Sequence, residues 1–402
     1  MIVNEWIDLR DPVTFLKEEY QDLVSKSLDW KLHVLESAST PRCKVDGKEV
    51  LMLCSNNYLG LSNHPRLKEA AIEAVRKYGA GSGSVRVIAG NMKLHTELEK
   101  KLAKFKHTEA ALVYQTGFAA NAGLIPQLVG KGDLVISDEL NHGSIIDGVR
   151  LSYAERAIFK HKDVGDLERV LNEAETKNYR RILIISDGVF SMDGDIAPFD
   201  KIVPVAERHG AMTYVDDAHG DGVLGEKGRG LTSHFHLEGR VHVEMGTFSK
   251  AFGVVGGYVS GSKDLVNFAF NRSRTLLLSG SHPPAVAAAV IAAIDVLENE
   301  PQHLKNLWNN TRYFKKGLKD LGFDTGISET PITPVITGES SLAKKMSDRL
   351  FEEGIFALPI VFPMVAKDKA RIRTIMNAAL TKEDLDFALS TFEKIGKELK
   401  II

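Results

Sequence analysis

Asp216-Asp217-Ala218-His219 closes an apolar run, Met212-Thr213-Tyr214-Val215, that reads as a buried strand. Two acids and a histidine are costly to bury unless they are paired or put to use. In open parallel sheets, moreover, the carboxyl edge of the strands is where ligands bind. The acids could equally cap the loop or helix that follows. A metal site is another chemical reading, but no HExxH or CxxC spacing accompanies it. Further along, Thr247-Phe248-Ser249-Lys250 ends a second strand-like run and leads into AFGVVGGY. Small and apolar residues flank Lys250, and the glycines allow close approach of backbone to a ligand. Burial lowers a lysine's pKa and frees its amine to attack a carbonyl; in an open loop the same lysine is an ordinary surface residue.

Together the two motifs suggest one cofactor. A pyridoxal phosphate site needs a lysine for the Schiff base and an acid opposite the pyridinium nitrogen. It also needs backbone amides at a helix N-terminus for the phosphate. Lys250 and Asp216 supply the first two. Gln115-Thr116-Gly117-Phe118, between strand-like ALVYQ and a helical stretch, supplies the third, and Thr247 offers a hydroxyl.

These residues must be positioned by an alternating chain. Residues 12–30 read as an amphipathic helix that opens with Pro12. VDGKEVLMLCS reads as a hairpin about Asp46-Gly47, followed by the turn-rich SNNYLGLSNHP. Leu94, Leu98, Leu102 and Phe105 share one helical face. Beyond ALVYQ, the segments DLVISD, AIFKH, RILIISD, MTYVDD, VEMGTFS and GGYVSG are strand candidates, with a helix around residues 165–177. Such alternation predicts an α/β fold with a mainly parallel sheet covered by helices. After Pro283-Pro284 an Ala-rich helix runs to about residue 299, and the short strands ITPVIT, GIFALPIVFP and ARIRTIM follow. Thr381 is a candidate N-cap for a last helix that buries Leu385, Ala388, Leu389, Phe392 and Ile395. The expected division is an N-terminal arm (1–55), a large domain (56–285) and a smaller α+β C-terminal domain (286–402).

Composition narrows the partners. The 402 residues are 44% hydrophobic and 26% charged, as in ordinary globular proteins. Lys and Arg number 51 against 53 Asp and Glu, a balance that argues against a nucleic-acid surface. The two cysteines, Cys43 and Cys54, are too few for a disulfide framework and suit a reducing cytoplasm. The start, MIVNEWIDLRDP, lacks the pattern of a signal peptide. The longest apolar stretch, residues 285–297, is too short to span a bilayer and contains Asp295.

The segments SNNYLGL, QTGFAAN, NHGSIIDG, DGVFSMDGD, VDDAHGDGVLGEKGRG, TFSKAFG and ARIRT run in order from about residue 50 to 380. Together they resemble the α-oxoamine synthases, pyridoxal phosphate enzymes that join an amino acid to an acyl-CoA. The resemblance implies fold type I and a homodimer with shared active sites. By it, Lys250 holds the cofactor as a Schiff base and then removes the substrate's α-proton. Asp216 pairs with the pyridine nitrogen, His219 binds the phenolic oxygen, His142 stacks on the ring, and Ser191 lies near the cofactor oxygens. Asn56 and Arg373 are expected at the substrate, Arg373 gripping its carboxylate. Ser279 and Gly280 match a segment that reaches the phosphate of the neighbouring subunit.

Each of these residues also has a plainer reading. His142 sits in a polar loop, Arg373 alternates with Ile372 and Thr374 as an outward strand residue would, and Asn56 and Asn57 are ordinary turn formers. The Gly79–Ser84 run lacks the GK[ST] of a nucleotide loop and reads as a flexible substrate-side loop.

Asp187, the asparagine pair and the chain length favour glycine with acetyl-CoA, the glycine C-acetyltransferase reaction. QTGFAAN leans to the alternative, alanine with pimeloyl-CoA, the 8-amino-7-oxononanoate synthase step of biotin synthesis. A non-catalytic subunit of the same fold would be expected to have lost Lys250. An aminotransferase would move the amino group without any CoA ester. Leu380 departs from the family, which commonly carries histidine there.

Overall fold

The computed structural model describes residues 12–26 and 29–402. The first helix, Thr14–Ser25, is shorter than the pattern over 12–30 suggested, and none of its side chains is buried. Residues 27–28 lie outside the described residues, as do residues 1–11, nearly all of the N-terminal run read for a signal, and 29–34 form no helix. The hairpin is as expected: β1 (Arg42–Val45) and β2 (Lys48–Met52) pair antiparallel around Asp46 and Gly47, both at positive φ. That is the backbone an Asp-Gly turn accommodates.

The large sheet is built from β3 (Ala110–Tyr114), β4 (Leu134–Asp138), β5 (Glu155–Phe159), β6 (Ile182–Asp187), β7 (Met212–Asp216), β8 (Val243–Thr247) and β9 (Gly257–Gly261). Their order across the sheet is β3-β9-β8-β7-β6-β4-β5. All neighbours are parallel except β9, which runs antiparallel to both β3 and β8. Both faces are covered, so the central strands carry few polar residues before their ends. On β6, Leu183 and Ile185 join one apolar cluster and Ile184 the other, the period of two that a pleated strand imposes.

The C-terminal part adds β10 (Ile332–Gly338), β11 (Ile355–Phe356), β12 (Pro359–Ile360) and β13 (Ala370–Ile375). β13 is the centre of a sheet ordered β10-β13-β12, while β11 pairs in parallel with β2 and so ties residues 48–52 to the C-terminal segment. The Ala-rich helix spans Pro284–Asn299, and two helices that the sequence reading passed over follow, Gln302–Asp320 and Ser340–Glu352. The last helix, Lys382–Glu398, starts as expected at Thr381, whose side chain accepts from Asp384 N. Leu380 is packed in the core and its carbonyl accepts from Asn310 Nδ2, so the position that departs from the family is structural here.

Candidate active site

β6 and β7 end together, Asp187 opposite Asp216, and β8 runs in register beside them with Met245 opposite Asp216 and continues to Thr247. A cavity of about 190 Å³ opens at these carboxyl ends. Its wall includes eight of the residues chosen from the sequence: Gly117, Phe118, His142, Ser191, Asp216, His219, Thr247 and Lys250. Motifs spread over more than a hundred residues of chain thus converge because parallel strands deliver their ends to one edge.

Burial lowers the pKa of the Lys250 amine, against the opposing pull of the Asp216 and Asp187 carboxylates. A lysine so placed is readied for nucleophilic or base chemistry. Asp216 accepts from Asn121 Nδ2 at 2.8 Å and from its own loop, Ala218 N, at 3.1 Å. His219 is buried, and Tyr58 Oη meets its Nδ1 at 2.7 Å. Burial, followed by the charges of Lys250 and Arg373, holds His219 well below the usual histidine range, so the ring is neutral. His142 is pushed down too, by burial first, with Asp216 opposing and Lys250 assisting. Asp187 takes the backbone N–H of His142 at 2.7 Å. Burial and then the Asp216 charge drive its carboxyl well above the ordinary range.

The other end of the cavity is a helix N-terminus. Thr116 caps the helix Gly117–Leu128, its Oγ1 accepting from Ala119 N at 2.9 Å. A Cβ at Gly117 would stand 3.0 Å from Met245 Cε, and one at Gly257 would lie 2.5 Å from Gly117 N, so only glycine leaves these amides close to the sheet. First-turn amides presented in this way form an anion site. Thr247 lines the cavity, but its hydroxyl donates to Gly256 O at 2.7 Å, so it serves the loop more directly than an anion.

On the substrate side, Arg373 projects from β13 and gives one guanidinium nitrogen to Ser191 O at 3.1 Å. Its charge is felt by His219, Lys250 and Tyr58, which places it at this site and not on an outward strand face. Arg373 Nε and Asn56 Oδ1 are both buried with no hydrogen-bond partner. A buried donor and a buried acceptor left open are the kind of groups a bound ligand completes. Ser279 and Gly280 stand outside this cavity wall; Gly280 is exposed and its carbonyl accepts from Gln115 Nε2.

A lysine with a suppressed pKa, a hydrogen-bonded acid and a glycine-lined helix N-terminus around one cavity fit the parts of pyridoxal phosphate one by one. Residues 48–392 match the model of the aminotransferase class I and II family. An 8-amino-7-oxononanoate synthase of Symbiobacterium thermophilum is 59% identical over 388 residues, covering 96% of this chain and 99% of that protein. One from Thermoanaerobacter pseudethanolicus is also 59% identical, over 96% and 98%. A serine palmitoyltransferase of S. paucimobilis, solved with a bound PLP–myriocin aldimine, superposes with a TM-score of 0.91 at 32% identity, over 98% of this chain and 100% of that one. The chain belongs to the α-oxoamine synthases. It is therefore a pyridoxal phosphate enzyme of fold type I.

The relatives' names support the alanine and pimeloyl-CoA pair, not the glycine and acetyl-CoA pair that Asp187 and the asparagine pair had put first. Asp187 is a poor guide because it reports on the cofactor end of the cavity. Acyl selectivity lies in pocket shape, where a methylene is worth only about 1–3 kcal/mol. Hydrogen bonds tie the site to residues that the sequence reading did not single out: Tyr58, Asn121, Ser144 and Tyr214. Three of them lie inside motifs already quoted (SNNYLGL, QTGFAAN, NHGSIIDG), so the segments were visible and the individual partners were not. Among the described residues no helix is long and apolar enough to cross a membrane.

Proposed function

We propose that this synthase condenses alanine with pimeloyl-CoA, the 8-amino-7-oxononanoate synthase reaction. The observation that carries the reading is near-full-length identity of 59% to relatives of that name. The bound cofactor supplies an electron sink for a carbanion at the amino acid's Cα. Lys250, its pKa lowered by burial, takes the α-proton. Asp216, held by its two hydrogen bonds, would pair with the pyridine nitrogen of the bound cofactor. His219 offers a neutral ring nitrogen to the phenolic oxygen. His142 packs against the ring, and Ser191 sits beside it. Gly117 and Phe118 present their amides to the phosphate at the helix N-terminus. Arg373 binds the substrate carboxylate through its open Nε, and Asn56 accepts from a substrate N–H or O–H. The new bond joins Cα to the acyl carbon as the C–S bond breaks and CoA departs as the thiol; the amino acid's carboxylate then leaves as CO2 and a proton returns to Cα, which leaves the 8-amino-7-oxo acid.

In the same proposal Ser279 and Gly280 serve the phosphate of a second copy in a homodimer. The chain divides near residues 55 and 285 into arm, large domain and C-terminal domain. Its place of action is the cytoplasm.

The test is CoA release by the cofactor-loaded protein with glycine, alanine and serine, each against acetyl-, pimeloyl- and palmitoyl-CoA. Alanine with pimeloyl-CoA is expected to lead. A lead for glycine with acetyl-CoA would replace this reading with the acetyltransferase. Transfer of the amino group to an oxo-acid without any CoA ester would make the protein an aminotransferase.

A further inference from the structure

Behind the cavity wall, Asn121 on the helix Gly117–Leu128 is fully buried, and every polar atom of its amide is engaged. Nδ2 donates to Asp216 Oδ2 at 2.8 Å and to Ser144 Oγ at 2.9 Å. Oδ1 accepts from Tyr214 Oη at 2.7 Å, and that tyrosine is itself buried. The orientation of the amide follows from this set: turned over, its oxygen would face the Asp216 carboxylate and its nitrogen the tyrosine hydroxyl. Ser144 Oγ receives one of these protons, so its own O–H points on to His142 Nδ1 at 2.8 Å. Ser144 N also approaches that nitrogen, at 3.2 Å. With both groups donating to Nδ1, the ring proton of neutral His142 sits on Nε2.

We propose that Asn121 is a positioning residue that couples the acid at the pyridine nitrogen to the tautomer of the stacking histidine, with Ser144 as the link and Tyr214 as the anchor. One amide thereby sets two groups on different walls of the cavity. Asp216 is held in place by a donor it cannot lose to solvent. His142 is held with Nδ1 as acceptor, which leaves Nε2–H as the donor the ring can present. The hydrogen bonds run in one direction from Tyr214 through Asn121 to His142. A change at any member is passed to the next, because no water reaches the buried members to substitute.

This inference rests on the cofactor site proposed above, and its test reads the cofactor and not the acyl substrate. Asn121→Leu keeps the side-chain volume and removes all three hydrogen bonds. Ser144→Ala removes only the link to His142. Each variant is titrated with pyridoxal phosphate, and the pH midpoint of the cofactor's visible absorption is followed. Asn121→Leu is expected to weaken cofactor binding by about ten-fold or more and to move the midpoint by about one pH unit, the loss of one charge-assisted hydrogen bond. Asn121→Gln, which carries the same amide on a longer arm, should recover part of both. Ser144→Ala should leave cofactor affinity near wild type and move the midpoint by less, with turnover reduced by about ten-fold. If both variants bind and titrate like the wild type, the relay is wrong. Should Asn121→Leu not fold, Ser144→Ala alone decides, and wild-type turnover and midpoint there overturn the proposal. A wild-type protein that shows the cofactor band but releases no CoA would instead count against the condensation reading and leave the relay standing.

Discussion

At the end of β7 two consecutive carboxyls part company. Asp216 faces the cavity beside Lys250; Asp217 turns back into a sealed cluster around Lys106. There, Lys106 Nζ lies 2.8 Å from Asp221, 3.2 Å from Glu244 and 3.5 Å from Asp217, and it donates to Arg229 O. All four side chains are essentially without solvent contact. Tyr258 donates to Asp221 and Thr232 to Glu244. Gly220, Gly230 and Gly246 line the cluster so tightly that a Cβ on any of them would run into a carboxylate oxygen of Asp217 or Asp221.

Each site thus sets a lysine among acids, but the outcomes differ. Burial disfavours charge on Lys106, yet its surrounding acids and Tyr258 more than offset that and hold its pKa well above the ordinary value. At Lys250 burial prevails and the pKa falls. The difference lies in hydrogen bonds: Lys106 is bound on several sides, while the acids near Lys250 are engaged elsewhere, Asp216 by Asn121 and Asp187 by His142 N. A saturated ammonium is a structural ion; an unsaturated amine is a reagent. Within the sealed cluster one cation faces three acids. Burial pushes Asp217 well above the usual carboxylate range, against the pull of Lys106.

Swapping the roles of the two lysines gives the largest expected effects. Lys250→Ala should reduce turnover by at least about 10³-fold, as expected for loss of a catalytic base. The cofactor-free protein should melt no lower than wild type, because a desolvated amine has been removed. Lys106→Met should do the reverse and lower the unfolding free energy by about 3–5 kcal/mol, the penalty of stranding buried carboxylates. Chemical denaturation of both variants reads this directly. Equal destabilisation by the two would erase the distinction drawn between them.

The sequence conveyed one side of this contrast better than the other. Lys250, Asp216, His219 and the helix N-terminus at Gly117 were legible because each ends a strand or opens a helix, and strand ends can be read from apolar runs. Lys106 was not. It closes an amphipathic helix whose other lysines are solvated, and nothing local shows that Asp221 and Glu244 will meet it from residues far along the chain. Asn121 and Tyr214 were hidden for the same reason, being ordinary members of a helix and a strand until the fold brings them together. The parallel sheet was legible from its alternation. The antiparallel placing of β9 was not, since a strand's direction depends on its pairing and not on its composition. The helices Gln302–Asp320 and Ser340–Glu352 were passed over beside the clearer strand runs that follow them.

A smaller effect is expected at Arg373, which shares features of both sites, being tied to Ser191 O yet open at Nε. Arg373→Ala should raise the KM for the amino acid by roughly 10–100-fold, the range for losing a charge-assisted hydrogen bond, with a lesser change in kcat. Steady-state kinetics at saturating acyl-CoA measure the split. An unchanged KM would return Arg373 to a purely structural role and leave the substrate carboxylate without its proposed partner.

The smallest effect concerns a third charged group, His161, which resembles the Lys106 cluster in being held by acids but remains partly accessible. Its Nδ1 meets Asp138 at 3.0 Å and its Nε2 meets Asp195 at 2.9 Å. Burial opposes its protonation, but the two carboxylates prevail and raise its pKa to about 9. The folded chain therefore binds this proton more tightly than the unfolded one. The stabilisation is complete below the unfolded value of about 6.5, falls as pH rises, and is gone once pH passes the folded value. With its partial accessibility discounted for screening, it is worth roughly 1–2 kcal/mol. His161→Leu should then be less stable than wild type at pH 6, and the gap should narrow steadily toward pH 9.5, with Lys162 still paired to Asp195 in both proteins. A gap independent of pH over that range would show that His161 acts there through its packing on Phe190 and not through its charge.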